Sequence, residues 1–155
     1  MQPLIPRSES NYTRRMIQIR VGTTKPSDVT EILDFWTNHA ENNSRPTDSS
    51  DALLGLLARD PEALILAIED DEIVGTVIAG WNGWRCCLYR LAVREDKRKL
   101  GIGKLLVDQA IERFKALGGT RIDAMILDEN VTAHKAWASY GFSLQEDWSR
   151  WIKNI

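Results

Sequence analysis

The chain has 155 residues, 43% of them hydrophobic and 27% charged, and carries a formal net charge of −2. That is enough chain for one domain with a real core, and the balanced charge gives no general case for nucleic-acid or membrane binding. No apolar run approaches the roughly eighteen residues of a membrane helix and the N-terminus lacks a secretory apolar region, so a cytoplasmic protein is expected.

Residues 1–15 mix proline, polar and charged side chains without periodicity and read as a flexible leader, with a single domain expected over 16–155. Ile17, Ile19 and Val21 alternate with Gln18 and Arg20, the pattern of a half-buried strand. Pro26-Ser27-Asp28 resembles a helix start, followed by Val29, Ile32, Leu33 and Trp36 at helical spacing. After a polar break, a second short helix carries Leu53, Leu54, Leu56 and Leu57 and stops before Pro61. Leu64 to Ile68 and Ile73 to Ala79 are strand-length apolar runs joined by the acidic turn Glu69-Asp70-Asp71-Glu72. Asn82-Gly83 between Trp81 and Trp84 predicts a two-residue type I′ hairpin with a flanking aromatic pair. Cys86 and Cys87 are adjacent, cannot staple distant segments, and read as buried strand residues with no metal-ligand set near them. A helix over about Ile102 to Leu117 ends at Gly118-Gly119. Ile122 to Leu127 reads as a strand, Val131 to Tyr140 as the last helix, and Gly141-Phe142 opens a final extended segment with Trp148, Trp151 and Ile152.

The stretch from Leu91 to Leu106 organises the rest. An apolar run (Leu88, Leu91, Ala92, Val93) leads into a basic turn, R-x-x-G-x-G from Arg98 to Gly103, and then into an amphipathic helix. Glycines there let the backbone approach a ligand closely, and the N–H groups at a helix start attract a phosphate, so the group bound should be a pyrophosphate. The Walker A and dinucleotide fingerprints both require other glycine spacings and are excluded. A plain strand-to-helix turn with solvated basic residues is the alternative.

The pattern V-x-x-x-x-R-x-x-G-I-G with Leu105-Leu106 resembles the acetyl-coenzyme A motif of the GNAT family of N-acetyltransferases. Asn130-x-x-Ala133-x-x-Ala136-Trp137-x-x-x-Gly141-Phe142 is similar to that family's second motif, and the resemblance covers roughly Ile17 to Trp148. It implies an α/β (α+β) fold, a mixed central sheet with helices on both faces, in the order β-α-α-β-β-β-α-β-α-β-(β). It also implies acetyl-CoA as cosubstrate. Its phosphates would lie on Arg98, Lys99, Leu100, Gly101, Ile102, Gly103 and Lys104, with Lys97 adding charge and Arg94 a solvated surface residue. Its amide-bearing arm would dock like an added strand along Leu91, Ala92 and Val93, the fourth and fifth strands splaying apart. Asn130 would bond that arm, with Ala133 and Trp137 lining it; alternatively Asn130 simply caps the last helix. Two departures matter. Many members place a proton-donating tyrosine where this chain has Trp137, and members that acetylate protein N-termini carry a glutamate where this chain has Met125. Glu95 and Lys99 are smaller departures.

Direct attack of an amine on the thioester in a ternary complex needs a base, because alkyl amines titrate near 10. Asp128 and Glu129 are candidates acting through water, or else solvated loop acids. Tyr89 and Tyr140 are proton-donor candidates or packing residues, and His39 and His134 have no triad partners. Asp28, Glu31, Asp34, Glu41, Asp48 and Asp51 outnumber Arg45 across the first helical pair, which points to a cationic small-molecule amine or else is simply a solvated helical face. Peptide or protein amines are the alternative, and a non-catalytic acyl-CoA binding or sensing domain is a reading of another class. The partners expected are thus an amine acceptor, with no nucleic acid and no membrane; a homodimer stays open.

Overall fold

The computed structural model describes residues 16–155, which form two compact units, one ending at Met125 and one running from Ile126 to Ile155. The expected leader, 1–15, lies outside the described residues. The first unit runs β1 (Gln18–Val21), α1 (Pro26–His39), α2 (Ser50–Arg59), β2 (Leu64–Glu69), β3 (Glu72–Trp81), β4 (Cys86–Val93), α3 (Ile102–Ala116) and β5 (Ile122–Ala124), with a short 3-10 turn at Glu95–Lys97. The second holds α4 (Val131–Ser139). The strands make one mixed sheet in the order β1-β2-β3-β4-β5, antiparallel except for the parallel β4–β5 pair.

Helical periodicity decides which side chains go inward. α1 starts at Pro26, whose missing N–H costs nothing in a first turn, and buries Val29, Ile32, Phe35 and Trp36. α2 is capped by Ser49, which accepts from Ala52 N, and turns Leu53 and Leu57 inward. Together with Leu64, Leu66, Ile68, Ile73 and Ala92 they form one core against one sheet face. Each fully buried leucine or isoleucine contributes about 1.5–3 kcal/mol. α3 covers the other face with Leu106, Val107, Ala110 and Phe114. A Cβ at Gly75 of β3 would meet Leu106 and Ile102 at 2.9 and 3.1 Å, so the absent side chain is what lets the start of α3 sit this close.

The turns differ from the sequence expectation in an instructive way. Asp70 and Asp71 both have positive φ, 50° and 64°, so the two-residue type I′ hairpin is the acidic turn between β2 and β3. At Asn82-Gly83 only Gly83 has positive φ, and the loop is four residues long. Asn82 shapes it with its side chain, Oδ1 accepting from Trp84 N at 2.9 Å and Arg85 N at 2.7 Å. Trp81 pairs with Cys86 across the ladder, and Trp84 lies in the exposed loop under the Arg85 guanidinium, so the expected cross-strand tryptophan pair does not form.

Two extended segments are also corrected. β5 is three residues long instead of reaching Leu127, its ladder with β4 ending at the Leu88–Ala124 pair. After α4 no strand follows among the described residues, and Leu144, Trp148, Trp151 and Ile152 are exposed. Acidic and basic residues break the alternation there, so no single face of the segment is apolar.

Candidate active site

β4 carries the site because its two halves have different neighbours. Cys86, Cys87 and Leu88 pair with β5, and that ladder ends there while β4 itself continues to Val93. The register against β3 slips in the same place, Ile78 facing Tyr89 and Thr76 facing Ala92, so one extra residue is accommodated in β4. That is a β-bulge, and Arg90 within it has φ +52°. The ladder between the fourth and fifth strands thus stops short of Leu91, Ala92 and Val93, the residues expected to face the cosubstrate arm.

A buried hydrogen-bond chain holds the bulge in place. Trp36 Nε1 donates to Thr76 Oγ1 at 3.0 Å, and Thr76 Oγ1 donates to the Arg90 carbonyl at 2.8 Å. The Arg90 side chain is buried too. It donates to the Glu41 carbonyl at 2.7 Å and to Asn42 Oδ1 at 3.1 Å, is ion-paired with Asp48, and lies over the Trp36 ring at 5.5 Å. Burial, with Arg45 nearby, pushes the guanidinium down to about 10, so it stays charged at neutral pH. Arg90 thus fastens the α1–α2 loop to the bulge.

Past Val93 the chain turns through residues 94–101 into α3. Arg98 Nε donates to the Val93 carbonyl at 3.1 Å, which folds the basic turn back on the strand end. Gly101 is the N-cap at φ +88°, offers no side-chain cap, and leaves the first-turn N–H groups of Ile102, Gly103 and Lys104 without an intrahelical acceptor. Ile102 and Gly103 are buried, while Arg98, Lys99 and Lys104 are exposed and Leu100 is half-buried. Lys104 also meets Asp108 in a solvated i,i+4 pair at 2.6 Å, worth a few tenths of a kcal/mol. The arrangement fits a pyrophosphate: oriented N–H groups at a positive helix end, flanked by solvated cations.

Other basic residues are already committed. Lys97 is ion-paired with buried Glu69, so the charge assigned to it in the sequence serves that carboxylate. Arg94 is not a solvated surface charge; it clamps Asp96 at 2.7 Å and Glu72 at 2.8 Å, tying the end of β4 to the start of β3. The acidic patch is likewise partly spent. Asp28 is bound two-pronged by Arg20 at 2.6 and 3.0 Å and accepts from Thr23, and Arg20 holds its carboxyl below the ordinary range. Asp48 belongs to Arg90 and Arg45, which leaves Glu31, Asp34 and Asp51 as solvated acids.

In the second unit Asn130 caps α4, its Oδ1 accepting from Ala133 N at 3.0 Å. The cap uses the oxygen and leaves the Nδ2 amide as a donor. Trp137 is buried, packing edge-on against Phe142 at 4.8 Å and Tyr140 at 6.0 Å. Burial pushes the Tyr140 phenol above its ordinary value, which makes it a weaker proton donor. Asp128 and Glu129 are exposed in the turn before α4, and His134 Nε2 meets the Leu127 carbonyl at 3.0 Å, a structural contact. Sequence reasoning missed Arg90, Thr76 and Trp36 as a group. The available signal was a single arginine inside the otherwise uncharged run Cys86–Val93.

Residues 27–142 match the model of the acetyltransferase (GNAT) family. An acetyltransferase of Yersinia enterocolitica is 28% identical over 114 residues, 74% of this chain and 79% of that protein. Among solved structures, an acetyltransferase from Streptococcus agalactiae superposes with a TM-score of 0.73 at 14% identity over 91% of this chain and 92% of the other. An aminoglycoside acetyltransferase from an uncultured soil metagenomic sample superposes with a TM-score of 0.71 at 17% identity over 92% and 98%. At such identities the structural likeness is one of fold. No helix among the described residues is long and apolar enough to cross a membrane.

Proposed function

Because the chain belongs to the acetyltransferase (GNAT) family and is an acyltransferase, we propose that it moves the acetyl group of acetyl-CoA directly to a primary amine within a ternary complex. One observation carries this reading: the end of β4 beyond its ladder with β5, Leu91 to Val93, leads through the basic turn of residues 94–101 into the uncapped N-terminus of α3. An amide-bearing arm fits the first as an added strand, and a pyrophosphate fits the second.

Bound acetyl-CoA supplies the thioester. The chain's own contribution is then positioning and charge. Leu91, Ala92 and Val93 offer backbone groups to the arm, and a backbone N–H at the bulge polarises the carbonyl oxygen as the amine attacks. The amine nitrogen bonds to the acetyl carbon, the carbon–sulfur bond breaks, and sulfur leaves with the electron pair. The ammonium proton passes through water to a carboxylate, a role for which Asp128 and Glu129 are the candidates, and a solvent proton neutralises the thiolate, which needs no strong acid since thiols titrate near 8.5. By resemblance to the family, Asn130, Ala133 and Trp137 are the residues of the second unit proposed to hold the arm.

The test is release of free thiol by the full chain given acetyl-CoA and a panel of small amines and peptides. Amine-dependent release supports transfer. Binding of acetyl-CoA without release from any amine would move the protein to the acyl-CoA sensing class.

A further inference from the structure

A pocket of about 200 Å³ opens within the first unit between the last turn of α2 and the β3–β4 hairpin. Its walls include Leu56, Trp81 and Tyr89, so most of its surface is apolar, and its rim carries Arg59 from α2 and Arg85 from the hairpin. Asp60 is the acid at its edge, and Arg113 of α3 grips both of its oxygens. Neither Arg59 nor Arg85 has a carboxylate partner among the described residues. Arg85 instead sits over the Trp84 ring at 3.9 Å, which holds the guanidinium beside the pocket without neutralising it. The pocket is therefore apolar inside and positive at its mouth, the opposite of the charge suggested by the acidic residues of α1 and α2.

Its position makes this consequential. Tyr89 immediately precedes the bulge residue Arg90 and is the first residue of β4 past its ladder with β5. Anything seated against Tyr89 lies next to the part of the strand where the thioester would be presented. Size bounds the occupant, since a cavity of about 150 Å³ accommodates benzene. One ring or branched aliphatic body with a small charged group is what fits.

We propose that this pocket is the acceptor site and that it selects a primary amine carrying a carboxylate on an apolar or aromatic body, with the carboxylate at the Arg59–Arg85 rim and the body against Trp81 and Tyr89. The amine half of the proposal rests on the acetyl-transfer reading; the carboxylate half rests on the pocket alone. Guanidinium groups match a carboxylate in geometry as well as in charge, and a cationic body would be repelled at the same rim.

The two halves separate experimentally. 3-Phenylpropanoate and 3-phenylpropanamide have no amine to acetylate and differ by a charge, so their binding to the full chain, followed by calorimetry, reads the pocket without turnover. The acid should bind at least tenfold more tightly than the amide, and an Arg59→Gln/Arg85→Gln double variant should lose that preference while keeping its affinity for acetyl-CoA. In turnover, the same variant should raise KM for L-phenylalanine at least tenfold and change KM for phenethylamine little. Equal binding of acid and amide, or a preference that survives in the double variant, overturns the site. An intact preference with no acetylation of any amine overturns the acetyl-transfer reading instead.

Discussion

The bulge in β4 rests on Thr76, and that dependence is measurable. Thr76 is fully buried between a donor, Trp36 Nε1, and an acceptor, the Arg90 carbonyl. Thr76→Val keeps the shape and removes the hydroxyl, stranding both neighbours in a core that water does not reach. Each of the two stranded groups costs about 1–3 kcal/mol, offset by about 1 kcal/mol for burying the added methyl, so a net loss of about 1–5 kcal/mol is expected. Against a total stability of about 5–15 kcal/mol that is readily seen as a lower urea midpoint at unchanged m-value. Trp36→Phe supplies the control. In the double variant the indole donor is gone and only the Arg90 carbonyl is stranded, so the two losses should fall short of additivity by about 1–3 kcal/mol. Because the bulge positions the backbone of β4 beyond its ladder with β5, kcat should fall in Thr76→Val under conditions where the variant is fully folded. A loss below about 0.5 kcal/mol, or strict additivity in the cycle, would refute the hydrogen-bond chain as the support of the bulge.

Gly103→Asp should weaken acetyl-CoA binding at least tenfold, about 1.4 kcal/mol, by placing a carboxylate where the helix N-terminus receives phosphate; unchanged affinity by calorimetry in a folded variant removes the phosphate site. The Arg20–Asp28 pair should make stability pH-dependent, since the bound guanidinium lowers the Asp28 carboxyl. Its contribution is complete above the unfolded value of about 4 and is lost as pH falls through the lowered folded value, so urea midpoints of wild type and Asp28→Asn should converge below about pH 4 and differ constantly from pH 5 to 8. Trp137→Phe should hold kcat within about tenfold, because indole has no proton to give a thiolate at neutral pH, whereas removing whichever of Asp128 and Glu129 is the base should lower it by about 10²-fold or more. A Trp137→Phe variant that binds acetyl-CoA normally yet does not turn over would assign that side chain a chemical role.

Most of the helices were legible because one physical rule governs them. Val29, Ile32 and Trp36, or Leu106, Ala110 and Phe114, recur at the helical period, and each set is buried as a stripe. The glycine turn was legible for a related reason, since only a residue without a Cβ sits easily at the φ of +88° found at Gly101. Asp70 and Asp71 were harder, because aspartate reaches positive φ less readily than Asn-Gly and gives a weaker turn signal than the dipeptide at Asn82.

The interior of β4 was not legible, and the reason lies in its extra residue. Strict alternation would put Cys86 and Ala92 on one face of the sheet. In the structure Cys86 lies against Gly119 beyond the end of α3, while Ala92 belongs to the core beneath α1 and α2. The bulge between them reverses the faces, and nothing in Cys-Cys-Leu-Tyr-Arg-Leu-Ala-Val announces where the reversal falls. It also brings Arg90 to the α1–α2 side, where hydrophobic patterning predicts an apolar residue. A guanidinium there is tolerable only because Asp48, Asn42 and the Glu41 carbonyl converge on it from a polar loop that the sequence marks as no more than a break between helices. Such a match between a strand and a loop some forty residues earlier is a tertiary fact, set by neither segment alone. It ties the strand edge suited to the cosubstrate to the loop covering the same sheet face, so a change in either is felt at the other.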